Sequence, residues 1–152
     1  MYQGPAANAA EHPELHRRVR ESFGRQGLMA HWSAELVRVA PGLCEVALDY
    51  SERVTQQQGG FHGGAIGALA DIAGGYAALT VIPEGMEVTT VEYKINFLSA
   101  HIGGRLLATG RVLKAGKRII VTTAEVEHID DQGQRTACAL MQQTLASVAK
   151  RY

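Results

Sequence analysis

No excess of charge of either sign runs through this chain. Lysine plus arginine and aspartate plus glutamate each number 15 among 152 residues, which argues against a strongly electrostatic binder of nucleic acid or membrane surfaces. Cysteine is scarce. Cys44 and Cys138 stand far apart without metal-ligand spacing and read as small core hydrophobes in a reducing compartment. The N-terminus lacks a basic stretch followed by an apolar one, so no secretory signal is expected and a cytoplasmic location is. No phosphate-loop or dinucleotide glycine fingerprint, no G-x-S-x-G elbow and no His/Cys/carboxylate grouping with metal spacing is found. Internal repeats and low-complexity tracts are also missing. Neither a metal nor a redox cofactor is therefore implied. What remains is a 46% apolar chain, ordinary for a globular protein and long enough for one domain with a real core.

Against that background one stretch stands out. Gly59 to Pro83 reads GGFHGGAIGALADIAGGYAALTVIP, and Asp71 is its only formal charge. Its seven glycines and central aspartate make it a poor membrane-spanning helix. A run so apolar is expected to be buried on nearly all sides, where an unpaired carboxylate is costly and either shifts its pKa or finds partners. The run opens with Phe61-His62-Gly63-Gly64, where backbone amides at a helix start can hold an anion or a developing oxyanion. A carboxylate and an amide nest on one helix suggest acyl-transfer chemistry, with hydrolysis as the expected reaction.

Around this helix, expected from about His62 to Thr80, the pattern is α+β. Residues 1–10 read as a flexible arm and residues 11–152 as one domain. From Glu11 to about Gly27, Leu15, Val19 and Phe23 recur at four-residue spacing on a charged, solvated helix. Strand patterns begin near Leu28, in LMAHWSAELVRVA, and turn at Pro41-Gly42 into LCEVALDY. A polar connection carrying Gln56 precedes the central helix. MEVTTVEYKINFLSA, GRLLATGRVLKAG, KRIIVTTAEVEHI and QRTACALMQQTLASVA then read as strands, with Asp130-Asp131-Gln132-Gly133 as a hairpin turn and Ala115-Gly116 as a turn or bend. A helix apolar on every face must be wrapped by such a sheet or shared with a partner. A curved antiparallel sheet around it keeps free edges, which pairing with a second copy would resolve, so a dimer is expected.

Spacing makes the same point about the chemistry. His62 and Asp71 are nine residues apart, on opposite sides of one helix and roughly 13–14 Å apart along its axis. If both serve one site, two copies supply them. Asp71 is a candidate general base or nucleophile, although it could instead cap an element or pair with an arginine. Gly63 and Gly64 are candidate amide donors, or simply allow close packing. His62 is a candidate positioning group or a structural hydrogen bonder. The Gln56 amide could orient water or a carbonyl, or sit solvated in its loop. The Thr90 hydroxyl could hold Asp71 or water, or reflect only strand propensity. Arg111, Lys114, Lys117 and Arg118 flank the Ala115-Gly116 bend, where they could meet the phosphates of a nucleotide-bearing carrier or form a solvated strand end.

Phe61-His62-Gly63-Gly64, Leu69-Ala70-Asp71 and the small-residue continuation to Tyr76-Ala77-Ala78, followed by VEYKINFLSA at Val91–Ala100, resemble the hotdog-fold acyl-CoA thioesterases of the PaaI-like (phenylacetic-acid-pathway) family. The similarity covers about Val54 to Val148. It implies a six-stranded antiparallel sheet wrapped round a long helix, sites at a homodimer interface, and dimers that often pair into tetramers. By the same resemblance Asp71 is the catalytic carboxylate, Gly63 of the other subunit polarises the thioester carbonyl, and His62 positions the carbonyl or its loop. Thr90 orients water, and Gln56 falls where many relatives carry Asn. Gly64, Arg111, Lys117 and Arg118 become substrate-binding candidates. The implied activity is hydrolysis of an acyl-CoA to a free acid and CoA. A hotdog dehydratase or hydratase and a non-catalytic acyl-CoA sensor module are the competing readings.

Overall fold

The computed structural model describes residues 12–152, and the arm expected over residues 1–10 lies outside them. Helix α1, Pro13–Phe23, begins with proline at its start, where the missing N–H costs nothing, and carries Glu14 in its first turn and Arg20 in its last, both favourable to the helix dipole. Its expected apolar stripe is the face turned inward: Val19 is buried, and Leu15 and Phe23 pack half-buried against the core. Arg18 fastens it by donating to the carbonyls of Ile82, Pro83 and Met86 at 2.9, 3.0 and 2.9 Å.

The strand expected to begin near Leu28 starts later. Gly27–Trp32 forms a short helix, α2, and strand β1 occupies Glu35–Ala40. The apolar residues Leu28, Met29 and Trp32 follow helical rather than alternating spacing, and Met29 is fully buried. Ser33 ends α2 in the left-handed region, at φ 56°, and the Ala34 N–H returns to the Met29 carbonyl at 2.9 Å.

Pro41-Gly42, with Gly42 at φ 72°, turns β1 into β2, Leu43–Asp49. A short 3-10 turn at Glu52–Val54 precedes the long helix α3, Gly63–Leu79. Strands β3, Met86–Phe97, β4, Arg105–Ala115, β5, Ile119–Ile129, and β6, Arg135–Ala149, complete the chain. The Asp130 hairpin closes as its residues dictate. Asp130 Oδ1 accepts from the Gln132 and Gln134 N–H groups at 2.9 and 2.8 Å, with Gly133 at φ 80°.

The six strands form one antiparallel sheet in the order β1-β2-β4-β5-β6-β3. Helix α3 lies against β2 to β6 and buries Leu69, Ala70, Ala73, Ala77 and Ala78 completely. Small side chains bring it very close. A Cβ on Gly110 of β4 would stand 2.2 Å from the Ala73 carbonyl oxygen, so only glycine admits the helix backbone there. The fold is the α+β arrangement of a curved antiparallel sheet around a central helix. β1 and β3 are left as edges, and β3 is long and exposed: Val91 is 59% and Phe97 55% accessible.

Replacing Gly110 with alanine should lower unfolding free energy by about 1–3 kcal/mol, since the clash is with backbone rather than a side chain that can swing away. Urea denaturation, with the slope unchanged and the midpoint reduced, is the check.

Candidate active site

Helix α3 starts at a specific cap. His62 is extended, at φ −67° and ψ 135°, and its Nδ1 accepts the Gly64 N–H at 2.8 Å. Gly64, expected to offer an amide to a ligand, therefore already has an acceptor. The adjacent Gly63 N–H has none among the described residues. It stands at the first position of the helix, where no intrahelical acceptor exists, beneath the ring of Phe97 from β3. The turn leading to it is held by the Phe61 N–H donating to the His101 carbonyl at 3.0 Å and the His62 N–H donating to the Val54 carbonyl at 2.7 Å.

Two helical turns on, at the same helix–β3 seam, lies Asp71. Among the described residues no arginine or lysine pairs with it. Its Oδ1 accepts from Thr90 Oγ1 of β3 at 2.7 Å and, at very short range, from Gln143 Nε2 of β6. The same Nε2 lies 3.2 Å from the Asp71 carbonyl oxygen and from Thr90 Oγ1. Gln143 is 1% exposed, and its Oε1 accepts from the fully buried Thr122 Oγ1 at 2.8 Å, which fixes which end of the amide faces the carboxylate. Oδ2 receives no hydrogen bond among the described residues. One oxygen is thus anchored and the other is left for chemistry. Burial pushes the Asp71 carboxyl above the usual carboxylate range, and the hydrogen bonds from Thr90 and Gln143 pull the other way without cancelling it.

A register shift lets β3 serve the helix along its length. The pairing with β6 slips between Thr90 and Glu92, so that Thr90, Tyr93 and Phe97 all reach α3 although Thr90 and Tyr93 are an odd number of residues apart. Phe97 lies over Gly63, Tyr93 over Gly67 and Thr90 on Asp71, matching helix positions four residues apart. Beside Asp71 opens a cleft of about 700 Å³, lined by Thr90, Ile72, Gly75, Tyr76 and Leu145 among others.

Sequence reasoning missed Gln143 and Thr122. The signal was available in the alternation of β6 and β5. Gln143 shares its face with Met141 and Leu145, and Thr122 with Ile120 and Ala124, all buried. A polar residue at an inward position of a strand needs a partner. Gly74 belongs with them, because a Cβ there would stand 2.1 Å from Gln143 Oε1. Gln56 does not join Asp71. Its Oε1 turns back to accept the Gln58 N–H in its own loop. Arg111, Lys114, Lys117 and Arg118 are exposed around the β4–β5 turn, and none of them lines the cleft. Among the described residues no group of three His, Cys, Asp or Glu side chains is placed to hold a metal ion, and no helix is long and apolar enough to cross a membrane.

Replacing Gln143 with leucine removes a donor to the Asp71 carboxylate and should raise its pKa further. Carboxyl-carbon NMR titration of the variant against the parent chain measures it, and an unchanged or lower pKa would contradict the assigned partners.

Comparison with known proteins places this geometry. Residues 58–134, just over half the chain, match the thioesterase superfamily. A protein of Saccharolobus solfataricus named "Putative esterase" is 38% identical over 106 residues, covering 70% of this chain and 74% of its own. The 1,4-dihydroxy-2-naphthoyl-CoA hydrolase of Listeria monocytogenes is 30% identical over 82% of this chain and 98% of its own. The crystal structure of a thioesterase family protein from Silicibacter pomeroyi superposes with a TM-score of 0.86 at 36% identity, covering 90% of this chain and 99% of that one. The resemblance carried by the His62-Gly63-Gly64 and Asp71 motif is therefore borne out: the chain belongs to the thioesterase superfamily, has its hotdog fold, and is a thioester hydrolase.

Proposed function

We propose that this protein hydrolyses acyl-CoA thioesters at sites shared between two copies of the chain, with Asp71 as the catalytic carboxylate. The observation that carries the reading is the half-buried, arginine-free Asp71 carboxylate, held at one oxygen by Thr90 and Gln143 and open at the other to a cleft. The name of the Listeria relative, a CoA-ester hydrolase, supports CoA as the thiol. Water adds to the thioester carbonyl carbon, its proton passing to Asp71, or the carboxylate itself attacks and water then cleaves the resulting anhydride. In either course the C–S bond breaks, the carbonyl oxygen carries negative charge in between, and the thiolate leaves to take up a proton.

The donor for that oxygen is the Gly63 N–H, with His62 capping the helix so that this amide points outward. Gly63 and Asp71 are eight residues apart on one helix, about 12 Å of axial rise, so one carbonyl cannot touch both in a single chain. Pairing of the exposed β3 edge with the same edge of a second copy supplies Gly63 from the partner subunit and covers Val91, Tyr93 and Phe97. Two such dimers then associate. Gln56 braces the loop before the cap, Gly64 is spent on the His62 contact, and Arg111, Lys117 and Arg118 are where CoA phosphates are received. The free, buried Cys44 and Cys138 fit a cytoplasmic protein.

Asp71→Asn should lower kcat by about two orders of magnitude or more, the scale of general-base catalysis, with acyl-CoA binding retained in calorimetry. Binding without turnover in the parent chain would favour the sensor-module reading instead. Because the folded carboxyl titrates above its unfolded value, the stability it lends is complete below the unfolded pKa and is lost as pH rises through the folded pKa. The same variant should therefore melt higher than the parent at neutral pH. The acid limb of kcat/KM should lie above the ordinary carboxylate range, rising with pH as Asp71 ionises.

Gly63→Pro deletes the donor at a helix position that tolerates proline, after a residue already in the extended conformation that proline requires. Refolding it together with Asp71→Asn should restore activity lost by each alone, since a mixed dimer contains one site with both native groups. No recovery, with mixed dimers confirmed by mass, would place each site within one chain.

A further inference from the structure

Two histidines stack where the turn into α3 meets the sheet, and the Asp71 site uses neither of them. His101, in the segment joining β3 to β4, lies face to face with His128 of β5, the ring centroids 4.1 Å apart and the planes 7° from parallel. His128 is 6% exposed, and its Nε2 donates to the Gly103 carbonyl at 2.9 Å. The Ser99 hydroxyl gives its one proton to the Ala137 carbonyl at 2.7 Å, so His101 Nε2, 2.7 Å from the same hydroxyl oxygen, is the donor to it. Both rings thus carry their proton on Nε2, and each Nδ1 is without a hydrogen bond among the described residues. The pair grips Phe61 twice. The His101 carbonyl accepts the Phe61 N–H at 3.0 Å, and the Phe61 ring meets His128 edge-on with centroids 6.4 Å apart. Phe61 is buried and also meets Tyr50 edge-on at 5.3 Å. Two residues further along the chain stands the Gly63 N–H.

We propose that the His101–His128 stack is a clamp that positions the Gly63 amide, seated while both rings are neutral and released when the stack takes up a proton. For the use made of that amide the inference rests on the thioesterase reading. Neither histidine touches the reacting groups; both act through Phe61 on the turn at residues 59–62. A proton added to either ring enters at Nδ1, where no acceptor receives it, and a second proton sets two cations face to face. Among the described residues neither ring pairs with a carboxylate. The ionisable groups on the elements packed against the pair are engaged elsewhere. The Tyr50 hydroxyl donates to the Gly59 carbonyl, His62 caps Gly64, and the Cys138 thiol faces the Ser99 carbonyl. Asp130 accepts from the Gln132 and Gln134 N–H groups, Glu127 pairs with Arg135, and Arg105 pairs with Asp49 and Glu35. Burial first, and the neighbouring His128 second, hold His101 below the usual histidine range. Its contribution to the closed turn is therefore complete above the open-state value, and is lost as pH falls from that value to the closed-state one.

Hydrogen exchange followed by NMR, without substrate, reads the clamp directly. In the parent chain, protection of the Phe61 amide should fall as pH is lowered from about 7.5 to about 5.5, by up to about tenfold per unit, the slope of one proton taken up on opening. The Ala73 amide, in the middle of α3, should keep its protection. His101→Phe keeps a flat ring without a titrating nitrogen and should abolish the fall. Turnover gives the second reading. His101→Ala should lower kcat about tenfold with KM little changed, since the amide acts on charge that develops only after binding, and His101→Phe should restore it. As pH falls, kcat of His101→Phe should rise relative to the parent's, because the ionisation of Asp71 is common to both and cancels in the ratio. Phe61 protection that stays constant with pH in the parent, an equal loss at Ala73, or the same fall in His101→Phe overturns the clamp. A kcat in His101→Ala equal to the parent's overturns its positioning role. Acid loss of Phe61 protection in a parent chain that releases thiol from no CoA ester in a broad panel upholds the clamp and overturns the thioesterase reading instead.

Discussion

The structure is organised around a half-buried carboxylate that no cation among the described residues matches. Asp71 sits on a nearly all-apolar helix, and among the described residues its side-chain partners are both neutral, the Thr90 hydroxyl and the Gln143 amide. Neutral donors stabilise the ionised form less than an arginine would, so the pKa stays raised and the group keeps its basicity. An arginine would have made a more stable seam and a weaker base. The selection of partners is thus a compromise between holding the charge in place and leaving it reactive.

That compromise reaches into the fold. The donors come from β3 and β6, neighbouring strands, and Gln143 is itself oriented by Thr122 from β5. For these side chains to reach the carboxylate, the helix must lie almost on the sheet. Glycines at 74 and 110 permit it, one facing the Gln143 amide and the other meeting the helix backbone from β4. The slip in β3 pairing then turns Thr90 onto the same side as Tyr93 and Phe97. Packing and chemistry share the same glycines, which explains why so small-residued a helix carries the reactive group.

One end of the cleft beside Asp71 depends on a different part of the chain. Helix α1 is charged on its outer face and narrow in its apolar stripe, and taken alone it is a marginal helix. Arg18 on it is tied to the carbonyls of Ile82 and Pro83, just past the end of α3, and of Met86 at the start of β3, where Ser22 and Gln26 meet the Tyr76 hydroxyl. An element that contributes modestly to the core thereby lines part of the cleft.

Much of this was legible in residues 59–83. An aspartate alone in an oily helix, behind a His-Gly-Gly start, is a local pattern, and local patterns report helix ends, burial and candidate chemistry directly. The strand character of the later segments and the Asp130 turn were legible for the same reason. The short helix Gly27–Trp32 was not, because a six-residue apolar stretch fits strand and helix periods alike and burial of Met29 decides between them. Nor could the sequence alone show that Gln143 reaches Asp71 with Thr122 behind it, that Gln56 turns away, or that Ser22 and Gln26 meet Tyr76. Apart from the local turn of Gln56 onto Gln58, these contacts join residues 21 to 72 positions apart. Sequence determined which groups are present and which faces they share along an element; tertiary structure alone decided which elements meet, because the partner of a buried polar group is set by packing across the sheet.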